Sequence, residues 1–131
     1  MTQVIVYTNK NGNVSVCHPS GELPIEEVLA KDCPEGAIII DASALPQNED
    51  DFFEAWRLYN GAVTVDLAEA KIISTGRFNI LAAEEASKRN QNTSIGISNA
   101  VADVDFIADL TAKRAAIAAA TSTAELRQIV V

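Results

Sequence analysis

The chain offers few side chains for nucleophilic or acid–base chemistry. Its one histidine, His18, directly follows Cys17, and a thiol next to an imidazole base is a common catalytic pair. Both residues fall at the end of a predicted strand, where successive side chains point to opposite faces. Because the thiol and the imidazole are not expected to meet, we predict no catalytic residue here.

Two acidic doublets, Glu26-Glu27 and Asp50-Asp51, are the other candidates for acid–base work. Adjacent helical positions diverge, and acidic residues in a first turn are favoured by the helix dipole. The glycines occur singly, and no glycine-rich phosphate motif is present. These patterns predict that the protein is not an enzyme and has no cofactor-binding residue.

The two cysteines, Cys17 and Cys33, bear on metal binding and on redox state. They are too few and too widely spaced for a disulfide framework or for a zinc site that needs four ligands. We therefore expect buried free thiols and no metal-ligating residue.

The net charge of −8 comes mainly from residues 1–60, which carry −7, whereas residues 61–131 carry −1. Phosphate contacts need clustered Lys and Arg, and the chain has no such cluster. This predicts no nucleic-acid partner. The acidic surface is either a solvated face that aids solubility or a face that meets a basic partner or mimics a nucleic acid.

Length and hydropathy bound the organisation and the location. The chain has 131 residues, of which 48% are hydrophobic, as expected for one domain or a small domain with a helical extension. Its start lacks a basic segment and a long apolar run, and no stretch approaches the roughly 20 apolar residues of a membrane span. We expect synthesis in a cytoplasm and no membrane partner.

The first half contains alternating strand and helix signals. Residues 3–8 and 13–18 flank an Asn-Gly turn and predict a β-hairpin. Pro24 can begin a helix, which we expect to run to about Ala30. The apolar run 37–40 predicts a strand covered on both faces, the central strand of the sheet.

Residues 51–59 carry four of the seven aromatic side chains. Phe52, Trp56 and Tyr59 recur at the spacing of one helical face, with Phe53 beside them, so we predict a helix here and a strand at 62–65. The aromatic group is either the core of this half or a partner-binding patch, and the two interpretations can coexist.

The second half is alanine-rich and predicts long helices. We expect one helix from about Leu67 to Arg89, with a possible break at 74–76, a turn at 90–98, a second helix to about Ala119 and a short last helix with a Ser122/Glu125 capping box. Seven positions spaced alternately four and three residues apart predict a packing seam along the second helix. The seam packs against the first helix of the same chain or against another chain, and the short loop between the helices favours the same chain. Its members are Ile97, Val101, Val104, Ala108, Thr111, Ala115 and Ala118.

These elements together predict an α+β fold. A small head at 1–65 contains the β-hairpin, a sheet and short helices. Residues 66–131 form an antiparallel helical hairpin and a short C-terminal helix. The candidate interaction residues are Phe52, Phe53, Trp56, Tyr59, Ile97, Val101 and Val104.

Four segments resemble small proteins that tailed bacteriophages encode near tail-fibre genes. They are residues 30–36 (AKDCPEG), 39–46 (IIDASALP), 52–56 (FFEAW) and 65–71 (VDLAEAK), and the resemblance spans about residues 3–71. The alanine-rich helices and residues 120–126 (ATSTAEL) are similar to the endings of the same group and of tail-fibre assembly proteins.

The resemblance implies a non-enzymatic structural role in the tail region of the virion. The expected partners are other phage virion proteins, and several copies of the chain are expected to assemble as a homo-oligomer. A tail-fibre assembly chaperone is the nearest alternative. An acidic DNA mimic that inhibits a host protein is an alternative of another class.

Overall fold

The computed structural model describes residues 2–131 and confirms the predicted α+β fold class. The chain forms two compact units. One unit ends at Asp66, and the other comprises Leu67–Val131. We call them the head and the helical unit and describe each by itself.

A three-stranded antiparallel sheet forms the first part of the head. It contains β1 (Gln3–Thr8), β2 (Val14–Cys17) and β3 (Ile38–Asp41), and helix α1 (Ile25–Asp32) lies between β2 and β3 in sequence. The predicted hairpin is confirmed, with Tyr7 paired to Ser15. Its turn is fixed by Asn9, whose Oδ1 accepts hydrogen bonds from two backbone amides of the turn.

The strand order is β2-β1-β3, so the prediction that the apolar run forms the central strand is wrong. Strand β1 pairs on both sides, and its Val4, Ile5 and Val6 are fully buried. Strand β3 is an edge strand and is only half-buried. A continuous apolar run indicates that both faces are shielded, but it does not show whether a strand pairs along one edge or both.

A second hairpin completes the head where an aromatic helix was predicted. A 3₁₀ helix, Asp50–Ala55, is followed by β4 (Trp56–Tyr59) and β5 (Ala62–Val65), which pair antiparallel. The predicted strand at 62–65 is confirmed, and the predicted helix at 51–59 is wrong. Asn60 and Gly61 both have positive φ, which is the backbone of the tight turns that suit two-residue hairpins.

The two sheets of the head share one core. Its buried members are Val4, Val6, Val14, Trp56 and Val63. The indole nitrogen of Trp56 donates a hydrogen bond to the Glu49 carbonyl oxygen at 3.1 Å, so the one polar atom of the largest core side chain is satisfied. This bond ties the start of the 3₁₀ helix to the second hairpin.

The helical unit contains α2 (Leu67–Ser94), α3 (Asp103–Ala119) and α4 (Thr123–Gln128). Helix α2 runs through the break considered at 74–76 and past the end predicted at Arg89. It stops in a Schellman motif, in which the Ile97 amide donates to the Asn92 carbonyl and the Gly96 amide donates to the Thr93 carbonyl. Gly96 has the positive φ that this motif requires.

Three long-range contacts show that α2 and α3 are antiparallel. Arg89 pairs with Asp103 at one end, and Arg114 Nε donates to Asn79 Oδ1 at 3.1 Å further along. At the other end Lys71 Nζ donates to the backbone carbonyl oxygen of Ala118, in the last turn of α3, at 2.8 Å. The predicted antiparallel helical hairpin is thus confirmed.

Helix α4 packs against α2 and begins with a modified capping box. Ser122 Oγ accepts a hydrogen bond from the Glu125 amide, as predicted. The Glu125 carboxylate reaches one residue further back than expected and accepts from the amide and hydroxyl of Thr121. These hydrogen bonds lower the pKa of Glu125, the backbone one most.

Candidate functional site

The aromatic residues predicted to form the core of the head, a partner-binding patch or both are divided by the structure. Phe52 and Trp56 are buried in the head, whereas Tyr59 is 74% exposed and Phe53 is 39% exposed. Because Trp56 and Tyr59 lie in a strand, positions three apart point to opposite faces. The helical spacing that grouped Phe52, Trp56 and Tyr59 is therefore wrong.

Phe53 covers the buried indole of Trp56. The two ring centroids are 4.8 Å apart and the planes are tilted by 54°, a geometry that aromatic pairs favour. This contact holds Phe53 in place while leaving part of its ring open to solvent. Phe53 is thus both a lid on the core and a surface aromatic.

The outward side of the second hairpin forms what we call the head surface, defined by Arg57, Tyr59, Ala62 and Thr64. The register places Arg57 opposite Thr64 and Tyr59 opposite Ala62. The Arg57 guanidinium donates to Asn13 Oδ1 and to the Glu54 and Trp56 carbonyl oxygens at 2.8–3.3 Å. The head surface therefore presents a fixed guanidinium and an exposed phenol on the same side of one strand.

The predicted seam of α3 has the right period, but it does not close against α2 within the chain. The buried and half-buried positions are Phe106, Leu110, Lys113, Ile117 and Ala120, each two residues beyond a predicted seam position. Two residues correspond to about 200° around a helix, nearly the opposite side. Ile97 and Val101 precede the helix, which begins at Asp103, and closure of the remaining seam between chains stays a prediction.

The orientation of α3 follows from contacts that the spacing did not reveal. The Arg89 guanidinium lies 4.6 Å from the Phe106 ring centroid, and that of Arg114 lies 5.6 Å from the centroid of Phe78. Arg89 is itself buried, and it donates to Asp103 and to the Val101 carbonyl oxygen. These contacts turn the large side chains of α3 toward α2.

The seam side of α3, which was expected to pack within the chain or between chains, is exposed in the single chain. Val104 is 72% exposed and Ile107 is 61% exposed, and the smaller neighbours on the same side are also open to solvent. We call this surface the α3 face, and it contains no charged residue. Its members are Val104, Ile107, Ala108, Thr111, Ala115 and Ala118.

Ile97 and Val101 lie in the connection between α2 and α3 and are 53% and 50% exposed. Arg89 fixes the end of this connection through the Val101 carbonyl oxygen. Neither side chain belongs to the α3 face, because the helix begins only at Asp103. Of the three candidate interaction residues Ile97, Val101 and Val104, only Val104 therefore lies on the α3 face.

The two cysteines are half-buried rather than buried as predicted. The pKa of the Cys33 thiol is raised, first by partial burial and then by the neighbouring Cys17 and by Asp32. A raised pKa lowers the fraction of thiolate, which is the nucleophilic form. The raised pKa thus favours the neutral thiol form of Cys33 near neutral pH.

Within residues 2–131, no group of three His, Cys, Asp or Glu side chains could hold a metal ion, and no helix is long and apolar enough to cross a membrane. Glu26 and Glu27 lie in the first turn of α1, and Asp50 and Asp51 begin the 3₁₀ helix.

Comparisons with protein-family models, with curated proteins and with solved structures find no match. The head surface and the α3 face are the candidate functional sites.

Proposed function

We propose that the protein is a non-enzymatic structural component of a bacteriophage virion, an adaptor in the tail or tail-fibre region that binds other virion proteins. The observation that supports a binding role is the exposure of large apolar side chains along α3, together with the exposed ring of Tyr59 in the head. Contiguous exposed apolar patches mark interaction sites in many proteins. The phage context is supported by the sequence resemblance over residues 3–71.

The head surface has the chemistry of an interface anchor. Tyr and Arg are enriched among the residues that carry most of the binding energy in protein interfaces. Arg57 is already held by three acceptors, so little side-chain entropy is lost when a partner contacts it. Because residues 1–60 carry a net charge of −7, the partner surface is expected to be neutral or basic.

The two surfaces belong to different units, which suits a protein that joins others. The head surface is polar and aromatic, whereas the α3 face is uncharged and aliphatic. Such different chemistries recognise different partners. We assign the head surface to another virion protein and consider the α3 face below.

The first experiment is quantitative mass spectrometry of purified phage particles from the source, with the copies of this chain measured against the major tail proteins. A fixed copy number supports a virion adaptor. Absence from particles, together with abundance in infected cells, overturns it and favours a tail-fibre assembly chaperone. Salt-sensitive inhibition of a host nuclease by the purified protein would instead favour the DNA mimic.

A binding experiment tests the head surface itself. The protein is co-expressed with the tail-fibre protein of the same phage, and the dissociation constant is measured for the wild type and for Tyr59→Ala. Loss of a central exposed aromatic is expected to weaken binding at least about tenfold. Leu23→Ala, which removes another exposed apolar side chain of the head, is the matched control and should bind normally.

A further inference from the structure

We propose that two copies of the chain associate through the α3 face, with their α3 helices antiparallel about a two-fold axis near Thr111. This inference rests on the part of the proposed function that expects copies of the chain to assemble with one another. It adds the surface, the number of copies and their orientation. It does not depend on which other virion protein is bound.

The two sides of α3 differ in burial. Its inner side buries Leu110 and Ile117 against α2, while the α3 face leaves Val104 and Ile107 mostly exposed. A helix with apolar residues on two sides is typical of a bundle with more than two helices. Two hairpins, each with one covered and one open side, would supply the four helices of such a bundle.

Side-chain size decreases along the α3 face from its beginning to its end. The large side chains, Val104 and Ile107, lie toward its beginning, and the small ones, Ala115 and Ala118, lie toward its end. Val104 and Ala118 are equally far from Thr111 in sequence, as are Ile107 and Ala115. A two-fold axis at Thr111 therefore places each large side chain opposite a small one, which a parallel pair would not do.

A shallow cavity lies at the end of the α3 face where the side chains are small. It has a volume of ≈ 430 Å³ and is lined by Lys71, Ile72, Thr75, Arg114, Ile117 and Ala118. The antiparallel arrangement brings Val104 of the second copy to Ala118, at the edge of this cavity. The cavity thus offers an apolar floor for the side chain that protrudes most at the other end of the helix.

Charge selects the same orientation. Lys71 and Arg114 lie at the cavity, near the end of α3, and Asp103 and Asp105 lie at its beginning. The Asp103 side chain is 78% exposed even though it pairs with Arg89. Antiparallel copies bring the basic end of one chain to the acidic end of the other, whereas parallel copies would bring like charges together, which is unfavourable.

The size of the contact predicts a modest affinity. Helix α3 has 17 residues and is about 26 Å long at 1.5 Å per residue. A single helix of this length buries on the order of 400 Å² on each copy, or about 800 Å² in total, which is below the roughly 1,000 Å² of a stable specific interface and predicts a weak association from α3 alone. The dimer is therefore expected to depend on concentration and to need the α2 residues beside the cavity.

The test is the mass of the full chain in solution over a range of concentrations, by sedimentation velocity and light scattering. The 14.0 kDa chain is expected to shift to twice that mass as concentration rises. Ala115→Glu, which puts a charge in the α3 face, should raise the dissociation constant at least tenfold. Ala116→Glu, an exposed position on another side of the same helix, is the matched control and should leave association unchanged.

Orientation is tested by disulfide trapping in a chain whose own cysteines are replaced by Cys17→Ser and Cys33→Ser. In the antiparallel dimer two Val104 positions are about 21 Å apart along the axis, so Val104→Cys alone should not cross-link. Thr111→Cys and the double variant Val104→Cys/Ala118→Cys should cross-link under an added oxidant. Circular dichroism of every variant checks that the helices are intact.

A chain that stays monomeric at all concentrations, or forms trimers, overturns the proposal. Equal weakening by Ala115→Glu and Ala116→Glu, or cross-linking by Val104→Cys alone, overturns the assigned face or orientation. A monomeric chain that is incorporated stoichiometrically into particles would support the proposed function and contradict only the dimer. A dimer that is absent from particles would support this inference and contradict the proposed function.

Discussion

The head and the helical unit bury their apolar residues to very different extents. In the head, Val4, Ile5, Val6 and Val14 are almost completely inaccessible to solvent, and Trp56 fills the space between two sheets. In the helical unit many large apolar side chains remain exposed. They are Ile72, Ile80, Leu81, Ile95, Ile97, Val101, Val104, Ile107, Val130 and Val131.

This difference has a geometric origin. Two packed sheets enclose a core from both sides, whereas two antiparallel helices cover only one side of each other. The head therefore at least partly buries most of its large hydrophobic residues and, within residues 2–66, exposes only Leu23, Phe53 and Tyr59, whereas the helical unit exposes ten. The contrast indicates that the helical unit has the larger apolar surface for another chain.

The largest expected effect is a loss of stability in the head alone. Ile5→Ala removes a fully buried side chain of β1 and should lower the free energy of unfolding of the head by about 3 kcal/mol. Trp56 is the one tryptophan and lies in the head core, so its fluorescence in urea reports the head, while circular dichroism at 222 nm reports mainly the helices. Equal shifts of both transitions would show that the two units unfold together.

The next effect concerns the one buried charged side chain among residues 2–131, Arg89. It donates two hydrogen bonds to Asp103 and one to the Val101 carbonyl oxygen. Arg89→Ala should lower the stability of the helical unit by about 2 kcal/mol, measured by circular dichroism in urea, with the Trp56 transition unchanged. Lys88→Ala, at an exposed neighbouring position, should change it by less than about 0.5 kcal/mol.

Two glycines should respond to the same substitution with opposite signs. Gly61 has a φ of +77° in the head turn, so Gly61→Ala should destabilise the head by about 1 kcal/mol. Gly76 is helical, and an added Cβ meets nothing within 4 Å, so Gly76→Ala should stabilise the helical unit by about 0.5–1 kcal/mol. Thermal melts followed by fluorescence and by circular dichroism separate the two effects, and a common sign would contradict this interpretation.

The smallest effect is the pH dependence of the α4 start. The pKa of Glu125 is lowered by hydrogen bonds from the Thr121 amide and then from its hydroxyl. The stabilisation is therefore present above the ordinary carboxyl pKa and lost as pH falls through the lowered value. NMR titration of the Glu125 carboxyl carbon should give a midpoint below that of an ordinary glutamate, and Thr121→Ala should move it only part of the way back.

Local signals were sufficient where an element depends on its own residues. Asn11-Gly12 marked the first hairpin, Pro24 marked the start of α1, and Ser122 marked the start of α4. Asn60-Gly61 carried an equivalent signal for the second hairpin. The helical spacing of the aromatic residues was given more weight, although aromatic residues are also enriched in strands.

Features that depend on distant residues could not be predicted in the same way. The position of β3 at a sheet edge depends on β1, about 30 residues earlier. The phase of α3 depends on the contacts of Arg89 and Arg114 with aromatic rings across the hairpin. For the candidate sites, the sequence left the aromatic group of residues 51–59 as core, partner-binding patch or both. The structure shows that Phe52 and Trp56 are core and that Tyr59 is exposed.

The central position of β1 also bears on how fast the two units fold. Strand β1 meets β2 after a short turn, but its other neighbour, β3, is synthesised only after α1 and a loop. Closing that longer segment costs chain entropy before any sheet hydrogen bond repays it. The backbone hydrogen bonds of the helical unit lie within its helices and are local in sequence, so we expect these helices to form first and the three-stranded sheet to set the overall folding rate.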